Sequence, residues 1–220
     1  MHPSVAAALP GFLKQYEGKV NYMYLDKKGL VTIGIGNLID PVNQALKLEF
    51  GPKGGGGTVS GAEVIAEFQT VKGRKDLIDK PTAEFDKITS LQLTDAGIAT
   101  MVASHANAIE GYIKTNASAK LFYADFDAWP AEAQLGFFGV AWGGIPLPQF
   151  GWNLFPPACR DQDWDKAAAQ CKISSPIAAG RNEAHRLMFL NAAAIKTNGD
   201  DITKVWWPIR IGRTVKPTGD

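Results

Sequence analysis

Two carboxylates nine residues apart, Glu17 and Asp26, precede a glycine-spaced turn in the stretch EGKVNYMYLDKKGLVTIGIGNLI, residues 17–39. Paired carboxyl groups can break a glycosidic bond when one stays protonated and the other ionised. The local pattern gives a reason for such a split. PGFLKQYE, residues 10–17, reads as a short helix with Pro10 in its first turn and Gly18 as its stop, which sets Glu17 at the carbonyl end. Negative partial charge there, together with partial burial, favours the protonated carboxyl of a general acid. Asp26 stands beside Lys27 and Lys28, in polar surroundings that keep a carboxylate ionised. Thr32 opens TIGIG with a hydroxyl able to hold a water near Asp26, and Gly34 and Gly36 let a substrate or a neighbouring backbone come close. The bland alternative is a pair of solvated surface charges, because Glu and Asp at arbitrary spacing are common.

The elements that must position these residues follow from periodicity. YMYLD, KKG and LVTIGIG alternate aromatic or β-branched residues with turn formers, which predicts a hairpin or small sheet. Residues 40–91 are looser, with a helix expected from Ser60 or Gly61 to about Val71 that puts Val64, Ile65 and Phe68 on one face. GPKGGGG lacks the ending of a phosphate loop and reads as a surface loop. After Leu91 the chain turns helical. Thr94 is an expected N-cap, and WPAEAQLGFFGVAWGG, with Pro130 in its first turn, is the expected buried central helix. DWDKAAAQCK and RNEAHRLMFLNAA complete the helices, and VWWPIRIGRTVKP forms a tail. The fold class is therefore α+β, a small β-ribbon lobe and a larger helical lobe with a cleft between. The expected organisation is a single domain and a monomer, segmented as 1–40 with the ribbon, an extended 41–90 insertion, a helical 91–198 portion and a 199–220 tail.

The ribbon stretch resembles the signature of phage-type lysozymes, glycoside hydrolase family 24. Glu17, Tyr24, Asp26, Gly29, Thr32, Gly34 and Gly36 all fall in that family's register. Similarity continues more weakly through LTDAGIATMVASHANAIEGYI, FDAWPAEAQLGFFGVAWGGI and the helix that follows Gly180-Arg181, so that about 150 of the 220 residues can be placed. The resemblance implies a lysozyme-like fold that cleaves the β-1,4 bond between N-acetylmuramic acid and N-acetylglucosamine in peptidoglycan. Glu17 would donate the proton, Asp26 and Thr32 would handle water, and Tyr24 and Leu38 would contact the glycan; no cofactor or metal is implied. The chain departs from the family at Asn37, where His is usual, at Trp142-Gly143-Gly144, in the long 40–90 segment and in the tail after Asn198. Two other readings stay open. A lytic transglycosylase needs one acid and no water, and a non-catalytic binding module could serve a phage particle or a secretion system. The setting is equally open between an endolysin and an antibacterial effector that meets a delivery carrier or an immunity protein.

Bulk properties narrow the field. Of 220 residues, 23 are Lys or Arg and 22 Asp or Glu; a net charge of +1 offers no global field for nucleic acid. No apolar stretch approaches a membrane span, and the N-terminal run, broken by Pro10 and without a basic leader, reads as no secretory signal. The expected site of action is the cell wall, in the periplasm of a target or host cell, reached through another machine or as a piece of a longer protein. Cys159 and Cys171, twelve apart, read as ordinary thiols, with a bridge as the alternative. His2, His105 and His185 have no metal-ligand spacing. Arg181 reads as structural rather than as a substrate contact. Trp142, Phe150 and Trp152 either edge the cleft or sit in the core. Trp206 and Trp207, with Arg210, Arg213 and Lys216, either grip an anionic polymer or partner, or cover an apolar edge.

Overall fold

A computed structural model of the protein describes residues 1–17, 20–174 and 179–213, and gives Glu17 by its backbone alone. The fold is α+β and forms two compact units, Leu13–Ala103 and Met1–Phe12 with Ser104–Asp220. Residues 41–90 lie in the same unit as the ribbon. No described helix is long and apolar enough to cross a membrane.

The first helix, α1 (Pro3–Glu17), begins seven residues before the expected start, and Pro10 lies inside it. Val5, Leu9, Phe12 and Leu13 are buried at helical spacing, so apolar packing holds the extra turns. Proline removes only the bond to the Ala6 carbonyl, and Ala6 is exposed, where water can take that acceptor.

The unit Leu13–Ala103 contains every described strand. β1 (Val20–Leu25), β2 (Val31–Gly34) and β3 (Asn37–Leu38) form an antiparallel sheet in that order. Tyr24 pairs with Thr32, and Thr32 with Leu38, while β1 is irregular between Val20 and Tyr24. A short helix, α2 (Val42–Ala45), follows the ribbon. β4 (Phe50–Pro52) then pairs with β5 (Leu91–Leu93). Between them, Gly54 to Gly57 all take positive φ in an exposed loop, as GPKGGGG suggested. α3 (Gly61–Gly73) packs against β1 and β2, and α4 (Ala83–Asp86) against β1.

The expected α3 is present, with Ser60 and Glu63 forming a capping box. Val64, Phe68 and Val71 are buried, while Ile65 is only half-buried. The buried Glu67 carboxylate of α3 accepts the N–H groups of Ser90 (2.5 Å) and Leu91 (2.9 Å), fastening the helix to the start of β5. Thr94 caps α5 (Asp95–Thr115) by accepting the Gly97 N–H at 2.9 Å.

In the other unit, α6 (Ala117–Tyr123) leads to α7 (Ala131–Ala141), whose eleven residues are all buried, as expected of the central helix. α8 (Phe155–Arg160) and α9 (Trp164–Gln170) precede α10 (Ala179–Asn198), which packs on both α7 and α9. Glycine makes the α7–α10 approach possible. A Cβ at Gly139 would stand 2.4 Å from His185 Nε2, and one at Gly136 would stand 3.2 Å from Phe189. Tyr123, Phe126, Trp129, Phe137 and Trp164 add edge-to-face and tilted ring contacts to this core.

The tail is docked through its backbone. Buried Glu132 of α7 accepts the N–H groups of Trp206 and Trp207, the latter at 2.5 Å. Asn191 of α10 donates to the Ile209 carbonyl (2.8 Å) and accepts the Ile211 N–H (2.9 Å). Trp207 meets Phe12 edge-on at 5.3 Å, the covering role; Trp206 and Ile209 remain exposed, and Lys216 lies outside the described residues.

Candidate active site

Asp26 sits immediately after β1 and opens a four-residue turn. Its carbonyl accepts the Gly29 N–H and its own N–H reaches the Leu30 carbonyl, both at 2.9 Å. Gly29 has φ of 71°, the left-handed conformation that closes such a turn at low cost for glycine. The side chain folds back over the turn. Oδ1 accepts the N–H groups of Lys28 (2.8 Å) and Leu30 (2.9 Å), the usual use of Asp at a turn's first position. Among the described residues Oδ2 has no hydrogen bond, so one oxygen of this half-buried carboxylate is held and the other is open.

Thr32 is buried at 4% exposure, and its hydroxyl donates to the Leu30 carbonyl at 3.2 Å. Only its lone pairs stay available, so a water near Asp26 would have to donate to this oxygen. Direct pairing across antiparallel strands puts Tyr24, Thr32 and Leu38 in one row on one face of the sheet. Leu38 is 53% exposed at the edge of that row and Tyr24 is half-buried. The sequence-level candidates Tyr24, Thr32 and Leu38 are thus brought together, with Asp26 two residues beyond Tyr24. Glu17 closes α1; its side chain, and with it the expected rise in proton affinity, lies outside the described residues.

The glycines of TIGIG divide. Gly34 has φ of 69°, and a Cβ there would come within 2.3 Å of Met101 Cε, so its smallness serves internal packing. Gly36, with φ of 75°, faces open space. Asn37, standing where the resembling family has His, buries Oδ1 with no hydrogen-bond partner among the described residues.

Residues that sequence reasoning passed over support the Asp26 turn. Lys72 of α3 donates from Nζ to the Gly29 carbonyl (2.8 Å) and to Asp40 Oδ2 (2.5 Å), and that same Oδ2 accepts the Val31 N–H at 3.2 Å. The Lys72 hydrogen bond holds the Asp40 carboxyl below the usual carboxylate range, against the opposing pull of burial. Their sequence separation of thirty-two leaves no local pattern to find. On β1, Asn21 donates to Gln92 of β5 at 2.9 Å.

In the helical unit, a cavity of about 460 Å³ is lined by Gly143, Gly144, Phe150, Trp152 and Arg181. The alternatives left open for the aromatics separate here. Trp142 is core, edge-on to the His105 ring at 4.5 Å, while Phe150 is 66% exposed and Trp152 half-buried. Arg181 Nη2 donates to the Gly139 carbonyl at 2.6 Å, a structural contact. Cys159 and Cys171 are both free and buried, as ordinary thiols, and burial pushes the Cys171 thiol up to about 12. His105 Nε2 lies 3.3 Å from the Trp142 carbonyl. His185 is fully buried, and neither ring nitrogen has a hydrogen-bond partner among the described residues. No protein-family model, curated protein or solved structure matches this chain.

Proposed function

We propose that the chain is a peptidoglycan hydrolase that cleaves the β-1,4 bond between N-acetylmuramic acid and N-acetylglucosamine. The observation that carries this reading is the Tyr24–Thr32–Leu38 row with the Asp26 turn at its end, in which Tyr24, Asp26 and Thr32 fall in the register of the lysozyme-type signature. In the reaction Glu17 gives its proton to the glycosidic oxygen as the bond breaks. Asp26 takes a proton from the attacking water, whose other hydrogen is positioned by a Thr32 lone pair, and the new hydroxyl stays on the released sugar end. If water enters opposite the leaving group, the two carboxyls should stand roughly 6.5–9.5 Å apart and the anomer inverts. The site of action proposed is the cell wall, in an endolysin or an injected antibacterial effector, and the neighbouring genes discriminate between the two.

Purified peptidoglycan tests this reading through its loss of turbidity. Wild-type protein should clear the suspension, and Glu17→Gln should lose at least about a hundredfold in rate while keeping its melting temperature. An active Glu17→Gln variant removes the assigned acid. One observation favours a second reading, a binding module that retains the ribbon without turnover: Asp26 already has a full structural task in its turn. Wild-type protein that pellets with peptidoglycan without clearing it would select that reading.

A further inference from the structure

We propose that Lys72, paired with Asp40, is a positioning residue that fixes the Asp26 turn, and that α3 serves as the brace carrying it. The proposal rests on the hydrolytic role assigned to Asp26 above. Leu30 is the pivot, because its N–H is one of the two that hold Asp26 Oδ1. Lys72 grips both flanks of that residue. Its ammonium takes the Gly29 carbonyl directly and reaches the Val31 N–H through Asp40 Oδ2. The chain from carbonyl to ammonium to carboxylate to N–H brackets Leu30, so Leu30 cannot rotate its N–H away from Asp26 without breaking a link.

The brace itself is anchored. Glu67, five residues before Lys72 on α3, takes the Ser90 and Leu91 N–H groups, and beyond the helix Ile78 closes on Gly29, where a Cβ would stand 3.1 Å from Ile78 Cδ1. A lysine suits the task because one point charge on a flexible stem satisfies two acceptors at once. Magnitudes separate positioning from stability. Lys72 is 37% exposed, and partly exposed pairs of this kind contribute little to folding. A displacement of about 1 Å at a catalytic group, in contrast, can cost on the order of a hundredfold in rate.

The test uses the full chain, Lys72→Met and Lys72→Arg, with two readouts: hydrogen exchange at the Lys28 and Leu30 amides, and kcat and KM on a soluble N-acetylglucosamine–N-acetylmuramic acid tetrasaccharide. Lys72→Met should speed exchange at Leu30 at least tenfold and lower kcat by about 10–100-fold, with KM within about twofold and the melting temperature nearly unchanged. Lys72→Arg should return most of both. Unchanged amide protection in Lys72→Met, a kcat within about twofold of wild type, an arginine variant no better than methionine, or a kcat loss that only tracks global unfolding would each overturn the proposal. Wild-type protein with no turnover would instead sink the hydrolytic reading, and the exchange measurement would still judge the tether.

Discussion

Asp26 has two candidate tasks, and its two oxygens separate them. Oδ1 ties down the Lys28 and Leu30 amides, whereas Oδ2 is open among the described residues. Asparagine can keep the first task through its own carbonyl oxygen but cannot accept a proton as a base. Asp26→Asn should therefore stay folded with a urea midpoint near wild type and lose turnover. Asp26→Ala should lose turnover and, with two turn bonds gone, about 1–2 kcal/mol of stability as well. An active Asp26→Asn variant would reduce the residue to a turn former. At this scale the sequence was legible where chemistry is local. Asp26 and Gly29 stand among the turn formers of the ribbon pattern, whereas Tyr24 and Leu38 were named only through the resemblance to the lysozyme signature. The hydrogen bond from the Thr32 hydroxyl to the Leu30 carbonyl was hidden, because a backbone acceptor leaves no mark in the pattern.

Among elements, the α7–α10 contact shows how little room the core leaves. Gly139→Ala would press a methyl against His185 Nε2 at 2.4 Å and Phe12 Cε1 at 2.8 Å. Both neighbours are fully buried and have nowhere to go. Overpacking of this kind costs about 1–3 kcal/mol, more than the gain in helix propensity from Gly to Ala, so thermal unfolding should show a clear loss. The buried central helix was legible in its broad apolar face, α3 in the helical spacing of Val64 and Phe68, and α5 in its Thr94 cap. Three features were hidden for separate reasons. Pro10 looked like a helix start, yet packing of Val5 and Leu9 extends α1 back to Pro3. The β4–β5 pair joins two three-residue strands that lie far apart in sequence. The tail docks by offering backbone N–H groups to Glu132 and Asn191, a recognition that no side-chain periodicity encodes.

At the scale of the whole molecule, two buried ionisable groups in the helical unit give stability a shape in pH. Burial pushes Glu132 up to about 7, against hydrogen bonds from Trp206, Trp207 and Asn191. Burial, aided by the Arg181 charge, lowers His185 to about 3. The folded state holds the Glu132 proton longer than the unfolded chain does, so that contribution is complete below about 4.5 and is lost as pH rises through about 7. His185 works in reverse: its contribution is complete above about 6.5 and is lost as pH falls toward about 3. The two slopes cancel where the windows overlap, so their joint contribution to stability should be flat from about pH 4.5 to 6.5 and fall on both sides. Glu132→Gln should turn that plateau into a rise with pH, worth on the order of a few kcal/mol, and His185→Gln into a decline. Urea unfolding across pH reads both; a plateau unaffected by either substitution would contradict the assignment. The proposed hydrolysis, with Glu17 as acid and Asp26 as base, is tested by mass analysis of the muropeptides that the protein releases from purified peptidoglycan. Reducing N-acetylmuramic acid ends that carry the added water are expected; 1,6-anhydro ends, or no released fragments at all, would refute it.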